Sequence, residues 1–142
     1  MRKRGVALAG IVAVIAGYGI WNLQGQTTST APASAQTALV QIVMPEGLTD
    51  RAQMGKAAFD AKCAACHGVN AVGQAGVAPP LIHKIYEPSH HGDESFQRAV
   101  ALGVQGHHWP FGDMPAVDGL TRADVAMIVA YIRDVQVANG IN

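Results

Sequence analysis

The sequence predicts an all-α domain of three or more short helices, preceded by a separate apolar N-terminal helix. Three observations predict it. Apolar residues recur at three- and four-residue spacing in segments bounded by capping residues. No run alternates with the two-residue period of a half-buried strand, and long Gly- and Pro-rich stretches separate the periodic segments. At 142 residues the chain has room for one modest domain plus an extension, not for two full domains.

Charge placement marks the extension. Arg2, Lys3 and Arg4 open the chain, and no further charged residue occurs before Glu46. Residues 5–23 form an uncharged, apolar run that as a helix spans about 28 Å, close to the hydrocarbon thickness of a bilayer. Tyr18 and Trp21 lie near its end, where aromatic side chains favour the membrane–water interface. Residues 1–23 therefore read as a signal-anchor helix, with the three cations held in the cytoplasm and the remaining chain outside. Ala33-Ser34-Ala35 offers the alternative of a cleaved leader, which sends the domain to the same compartment. Residues 24–45 read as a flexible linker, although residues 40–44 are apolar enough to pack onto the domain edge.

The domain proper covers residues 46–142. It holds seven basic and ten acidic residues, a net charge of −3, which speaks against a nucleic-acid partner. The first helix is expected from Thr49-Asp50, either of which can cap it, to Lys62. Gly55 and Phe59, four apart, share one of its faces. A middle helix is expected over residues 94–102, capped by Asp93 and stopped by Gly103. The last helix opens on Thr121 and Asp124, spaced as a capping box. Val125, Ile128, Ile132 and Val135 then recur at helical spacing, with Tyr131 beside them, until Asn139-Gly140 ends it. Three short helices bury little apolar surface, and loops this long need something to wrap around. The composition thus points to a large bound cofactor as part of the interior.

Cys63-Ala64-Ala65-Cys66-His67 supplies a candidate for its attachment. The chain's two cysteines are too few for a disulfide-stapled scaffold or a four-cysteine metal site. The pattern C-x-x-C-H is the attachment signature of c-type haem: each thiol adds across a vinyl group, and the adjacent imidazole reaches the iron. Two alternatives use the same residues. A thioredoxin-like dithiol wants a βαβ setting and gives the histidine no role. A zinc site needs four ligands and would have to recruit scattered histidines.

From these residues the chain resembles the class I cytochrome c family, over roughly residues 48–136. Gly55 and Phe59 precede Cys63-Ala-Ala-Cys-His67, Pro79-Pro80-Leu81 follows, then Gly112-Asp113-Met114-Pro115, and finally a helix containing Tyr131. The resemblance implies a small cytochrome c-like fold wrapped around one covalently bound haem c. It implies that the first and last helices cross at Gly55, Phe59 and Tyr131, and that the carbonyl of Pro79 orients the imidazole of His67. It further implies Met114 as the second axial ligand beside His67, borne on the loop before the last helix. Met44 and Met54 precede the haem motif, and Met127 falls in the packed part of the last helix.

Residues 82–109 depart from the family pattern by carrying five histidines: His83, His90, His91, His107 and His108. Three readings stay open for them. They are solvated loop residues, some bonding haem propionates alongside Tyr86 and Trp109, or a second metal site, or a pH-responsive cluster. The function implied is that of a monohaem carrier of single electrons rather than an enzyme. It would work in the bacterial periplasm between a donor reductase and an acceptor oxidase or reductase, held to the inner membrane by its N-terminal helix. A haem-based sensor of small ligands and a haem subunit of a larger oxidoreductase are the alternatives.

Overall fold

A computed structural model describes residues 37–142. The expected anchor at residues 1–23, the leader-cleavage motif and the first part of the linker lie outside the described residues. Among the described residues no helix is long and apolar enough to cross a membrane.

Four α-helices make up the domain: α1 (Asp50–Lys62), α2 (Ala64–His67), α3 (Asp93–Leu102) and α4 (Arg122–Ala138). Short 3-10 turns at Val69–Ala71 and Lys84–Tyr86 punctuate the long segment between α2 and α3. The described residues contain no strand, only isolated antiparallel bridges at Gln74–Ala78 and Val104–Met114.

Helix α1 starts where its sequence dictates. Thr49 Oγ1 accepts from the Ala52 N–H at 3.2 Å, satisfying one of the free donors of the first turn. The Thr49 backbone N–H and hydroxyl both donate to Asp134 Oδ2 at 3.0 Å, which ties the start of α1 to α4. The two helices then touch backbone to backbone at Gly55. A Cβ built there would lie 1.8 Å from Met127 O and 2.9 Å from Ile128 N, so glycine is the residue that lets α4 approach so closely. One turn on, the fully buried rings of Phe59 and Tyr131 pack with centroids 5.6 Å apart and planes tilted by 55°.

Helix α4 carries the predicted capping box in full. Thr121 Oγ1 accepts from the Asp124 N–H, and the Asp124 carboxylate accepts from the Thr121 N–H at 2.8 Å. The middle helix departs from expectation by one residue. Asp93 lies inside the first turn of α3, and Gly92 precedes it as a cap without a side-chain bond. The Asp93 carboxylate is instead drawn to Arg133 Nε of α4, at 3.0 Å.

The core is one cluster at the crossing: Ala52 and Phe59 of α1, and Ile128, Tyr131, Ile132 and Val135 of α4. Loop residues Ala71, Leu81 and Ile82 complete it, so part of the interior that three helices alone would lack comes from the chain between them. Residues 37–44 run along this body. Leu39 and Val40 donate to Val72 O, Val43 exchanges two 2.8 Å bonds with the Asn139 side chain, and Ile42 and Met44 pack on the core.

Candidate functional site

The end of α1 builds the Cys-x-x-Cys-His segment. The Cys63 N–H closes α1 on Phe59 O at 2.8 Å, and the chain turns at once into α2. Both the Cys66 and His67 N–H groups bond back to Cys63 O, at 3.1 and 2.9 Å. This single helical turn sets Cys63 and Cys66 three residues apart on one side, with His67 directly after. The helical turn comes from these bonds. Gly68, at φ +75°, ends it.

His67 is half-buried, and its Nδ1 donates to the Pro79 carbonyl at 2.9 Å. That bond fixes the tautomer and leaves Nε2 with the lone pair. Burial holds the imidazole below its ordinary range, and the Pro79 bond opposes the shift, so the ring stays neutral at pH 7. Cys63 behaves in the opposite sense to a redox thiol. Burial, with the neighbouring Cys66, pushes its pKa up to about 11, whereas dithiol oxidoreductases depend on a lowered one. Zinc finds no fourth ligand either. Among the described residues, the group of three or more His, Cys, Asp or Glu side chains close enough to share an ion lies elsewhere, at His90, His91 and His108.

Met114 stands on the loop between α3 and α4, half-buried, with its backbone doubly bonded to Val104 at 2.9 Å in each direction. Gly103, at φ +76°, ends α3 directly under this loop; a Cβ there would lie 2.5 Å from Met114 O. The Asp113 carboxylate accepts from the Gly106 N–H at 2.8 Å and closes the loop's base. The structure thus brings Cys63, Cys66, His67 and Pro79 into one unit and places Met114 on a separate, pinned loop.

The residues present fit a c-type haem. They offer two thiols on one side of a turn, a neutral imidazole with Nε2 left to ligate, and a thioether on a fixed loop. An indole N–H adds to the set: Trp109 Nε1 is buried without a hydrogen-bond partner, an arrangement that calls for an acceptor such as a carboxylate. The Tyr86 hydroxyl feels this indole but makes no aligned hydrogen bond to it; burial dominates and pushes the phenol above its usual range. Trp109 also stacks on Phe111 at 5.9 Å and meets the His83 ring edge-on at 5.2 Å.

Two site residues escape a sequence reading. Gln136, fully buried on α4, donates to Leu81 O at 2.9 Å and Tyr86 O at 3.1 Å. Arg133 donates to Tyr86 O and His91 O, each at 2.6 Å, and lies 5.1 Å over the Phe96 ring. Together they fasten the segment after Pro79 to α4. The signal for Gln136 was its position, four residues after Ile132 and seven after Val129 on the buried stripe.

The histidines divide. His83 accepts from the Ile85 N–H at 3.2 Å and caps the 3-10 turn, while His90, His91, His107 and His108 gather into one cluster. Partial desolvation and the three neighbouring rings hold His108 below the ordinary imidazole range.

Compared with known families, the chain matches the family described as Cytochrome c over residues 52–136. No curated protein and no solved structure matches the chain.

Proposed function

Because the chain belongs to the cytochrome c family, we propose that residues 46–142 form a monohaem electron-transfer domain with its haem linked to Cys63 and Cys66. The observation that carries this reading is the 2.9 Å bond from His67 Nδ1 to Pro79 O within a Cys-x-x-Cys-His turn. A backbone acceptor behind an imidazole orients the ring and raises its basicity toward a metal. His67 Nε2 and the Met114 thioether would hold the haem iron. A thioether favours ferrous iron relative to a second imidazole, which raises the potential. When bound, haem supplies a one-electron ferric–ferrous couple. The protein's own work is to position the His67 imidazole through the Pro79 carbonyl and the Met114 loop through the Val104–Met114 bridge. With His67 and Met114 both held by the iron no site would remain for a substrate, and the domain would act as a carrier rather than an enzyme.

The domain works on the periplasmic side of the inner membrane, tethered through residues 5–23, between a donor reductase and an acceptor oxidase or reductase. The apolar run and the three preceding cations support that placement. With a net charge of −3 over residues 46–142, docking relies little on steering, and electron exchange depends only mildly on salt.

The test uses the full-length purified protein. Acidified acetone leaves the colour on the polypeptide, and the ferric form shows the weak near-infrared band of iron–methionine bonding, lost in Met114→His. Carbon monoxide leaves the reduced spectrum unchanged at neutral pH. Extraction of all colour overturns the covalent haem. An unaltered band in the variant overturns Met114, and a carbon monoxide shift turns the reading to a ligand-binding sensor.

A further inference from the structure

The histidine cluster is not used by the electron-transfer reading. We propose that His90, His91 and His108 form a second metal site, taking a divalent first-row ion of the zinc or copper type through three imidazole nitrogens.

Geometry carries the proposal. One ring nitrogen from each of the three lies within 4.8 Å of the other two. His90 Nε2 and His108 Nε2 are 3.4 Å apart. That spacing is long for a hydrogen bond between ring nitrogens. It matches two ligands of one ion: nitrogens bound at about 2.0–2.1 Å in a tetrahedron sit about 3.3 Å from each other.

The rings are also prepared as ligands. His91 Nδ1 donates to Ile85 O at 2.6 Å, which assigns the lone pair to Nε2 and supplies the carbonyl partner that metal-bound histidines commonly have. Its backbone is fixed as well, since the His91 N–H bonds Glu87 O at 2.8 Å and its carbonyl accepts from Arg133. His107, whose Nδ1 bonds Gln105 O at 2.8 Å, packs against His108 with centroids 4.3 Å apart and backs that ring. His90 and His108 are exposed, so an ion can enter from solvent and keep water as its remaining ligand.

Three imidazoles without a carboxylate suit zinc, copper or nickel and not magnesium or calcium, which want oxygen. The ligands come from two segments: His90 and His91 from the turn before α3, and His108 from the loop that continues to Met114. A bound ion would clip these segments together.

The probe is zinc, dialysed to equilibrium at pH 7.5 against the untagged, haem-loaded full-length protein, with metals counted per polypeptide. The expected result is about one zinc per polypeptide, with affinity falling at least roughly tenfold in both His90→Asn and His108→Asn. His83→Asn, outside the cluster, keeps wild-type binding. Because zinc is counted against polypeptide and iron separately, failure here is distinguishable from failure of the haem reading. Absence of stoichiometric zinc overturns the site. So does binding that survives either cluster variant, or that His83→Asn removes equally.

Discussion

Replacing Gly55 with alanine adds a single methyl group at the point where α1 rests on α4. The Cβ would meet Met127 O at 1.8 Å and Met127 C at 2.4 Å, both backbone atoms that no rotamer change can remove. Restoring an ordinary 3.4 Å contact requires the helices to part by about 1.6 Å. Gaps of about 0.5–1 Å already forfeit a quarter to a half of a dispersion contact, so the seam beneath, where Phe59 meets Tyr131, loses much of its packing. Overpacking costs about 1–3 kcal/mol where side chains can yield, and a backbone clash belongs at or above the top of that range. Against it stands a gain of about 1 kcal/mol from alanine's helix propensity. The clash wins, leaving Gly55→Ala destabilised by roughly 2 kcal/mol or more, about thirtyfold in the folded-to-unfolded ratio. Guanidinium unfolding of the haem-loaded protein, followed by far-ultraviolet circular dichroism, reads this directly. Gly47→Ala is the control: nothing lies within 4 Å of its added Cβ, and its midpoint should stay put. A Gly55→Ala protein as stable as the parent would mean that the two backbones do not meet there.

Three further outcomes are expected. Gln136→Met keeps the volume but strips Leu81 O of its donor, costing about 1–3 kcal/mol in the same unfolding experiment; a neutral result would show that the buried amide holds nothing. Trp109→Phe removes the unpartnered indole N–H. If that group neutralises part of a haem propionate's charge, its loss favours ferric iron and lowers the midpoint in a potentiometric titration, whereas an unmoved midpoint places the N–H away from the propionates. The Asp124 carboxyl is held below the usual carboxylate range by the Thr121 hydroxyl and then by its N–H. A lowered folded-state value stabilises above the unfolded pKa of about 3.9, and the effect is lost as pH falls through the folded value. Asp124→Ala should therefore lower the melting temperature at pH 7, with the gap to the parent narrowing below about pH 4; a constant gap would exclude the ionised cap.

Much of this was legible because it is local. Thr49 and the Thr121–Asp124 box lie within three residues of the groups they cap, and the Cys63–His67 spacing needs no knowledge of the rest of the chain. What was illegible depends on partners far along the sequence. Asp93 reads as a cap by residue type, but its partner is Arg133, 40 residues on. The Val69–Ala71 turn sets Asn70 and Ala71 at positive φ, and Ala71 O then accepts from the Leu81 and Ile82 N–H groups, a closure no short window reveals. The histidines look alike in sequence, yet one caps a turn while four converge, because convergence belongs to the fold.

The orientation of His67 shows how these local and distant terms combine. Its acceptor, Pro79 O, is placed from both sides. On one side Leu81 N–H bonds Ala71 O at 2.9 Å, and Gly73 lies so close that a Cβ would meet Pro80 N at 2.6 Å. On the other side Gln136 of α4 holds Leu81 O. Proline at 79 and 80 removes φ freedom between these anchors, so little entropy remains to be lost when the imidazole is fixed. The chain closes through Gly55: the α1–α4 contact that sets where α1 ends, and so where Cys63 begins the turn, also sets where Gln136 sits. One crossing thereby positions both the imidazole and the carbonyl that orients it, which is why the orientation of His67 can be fixed by residues that never touch it.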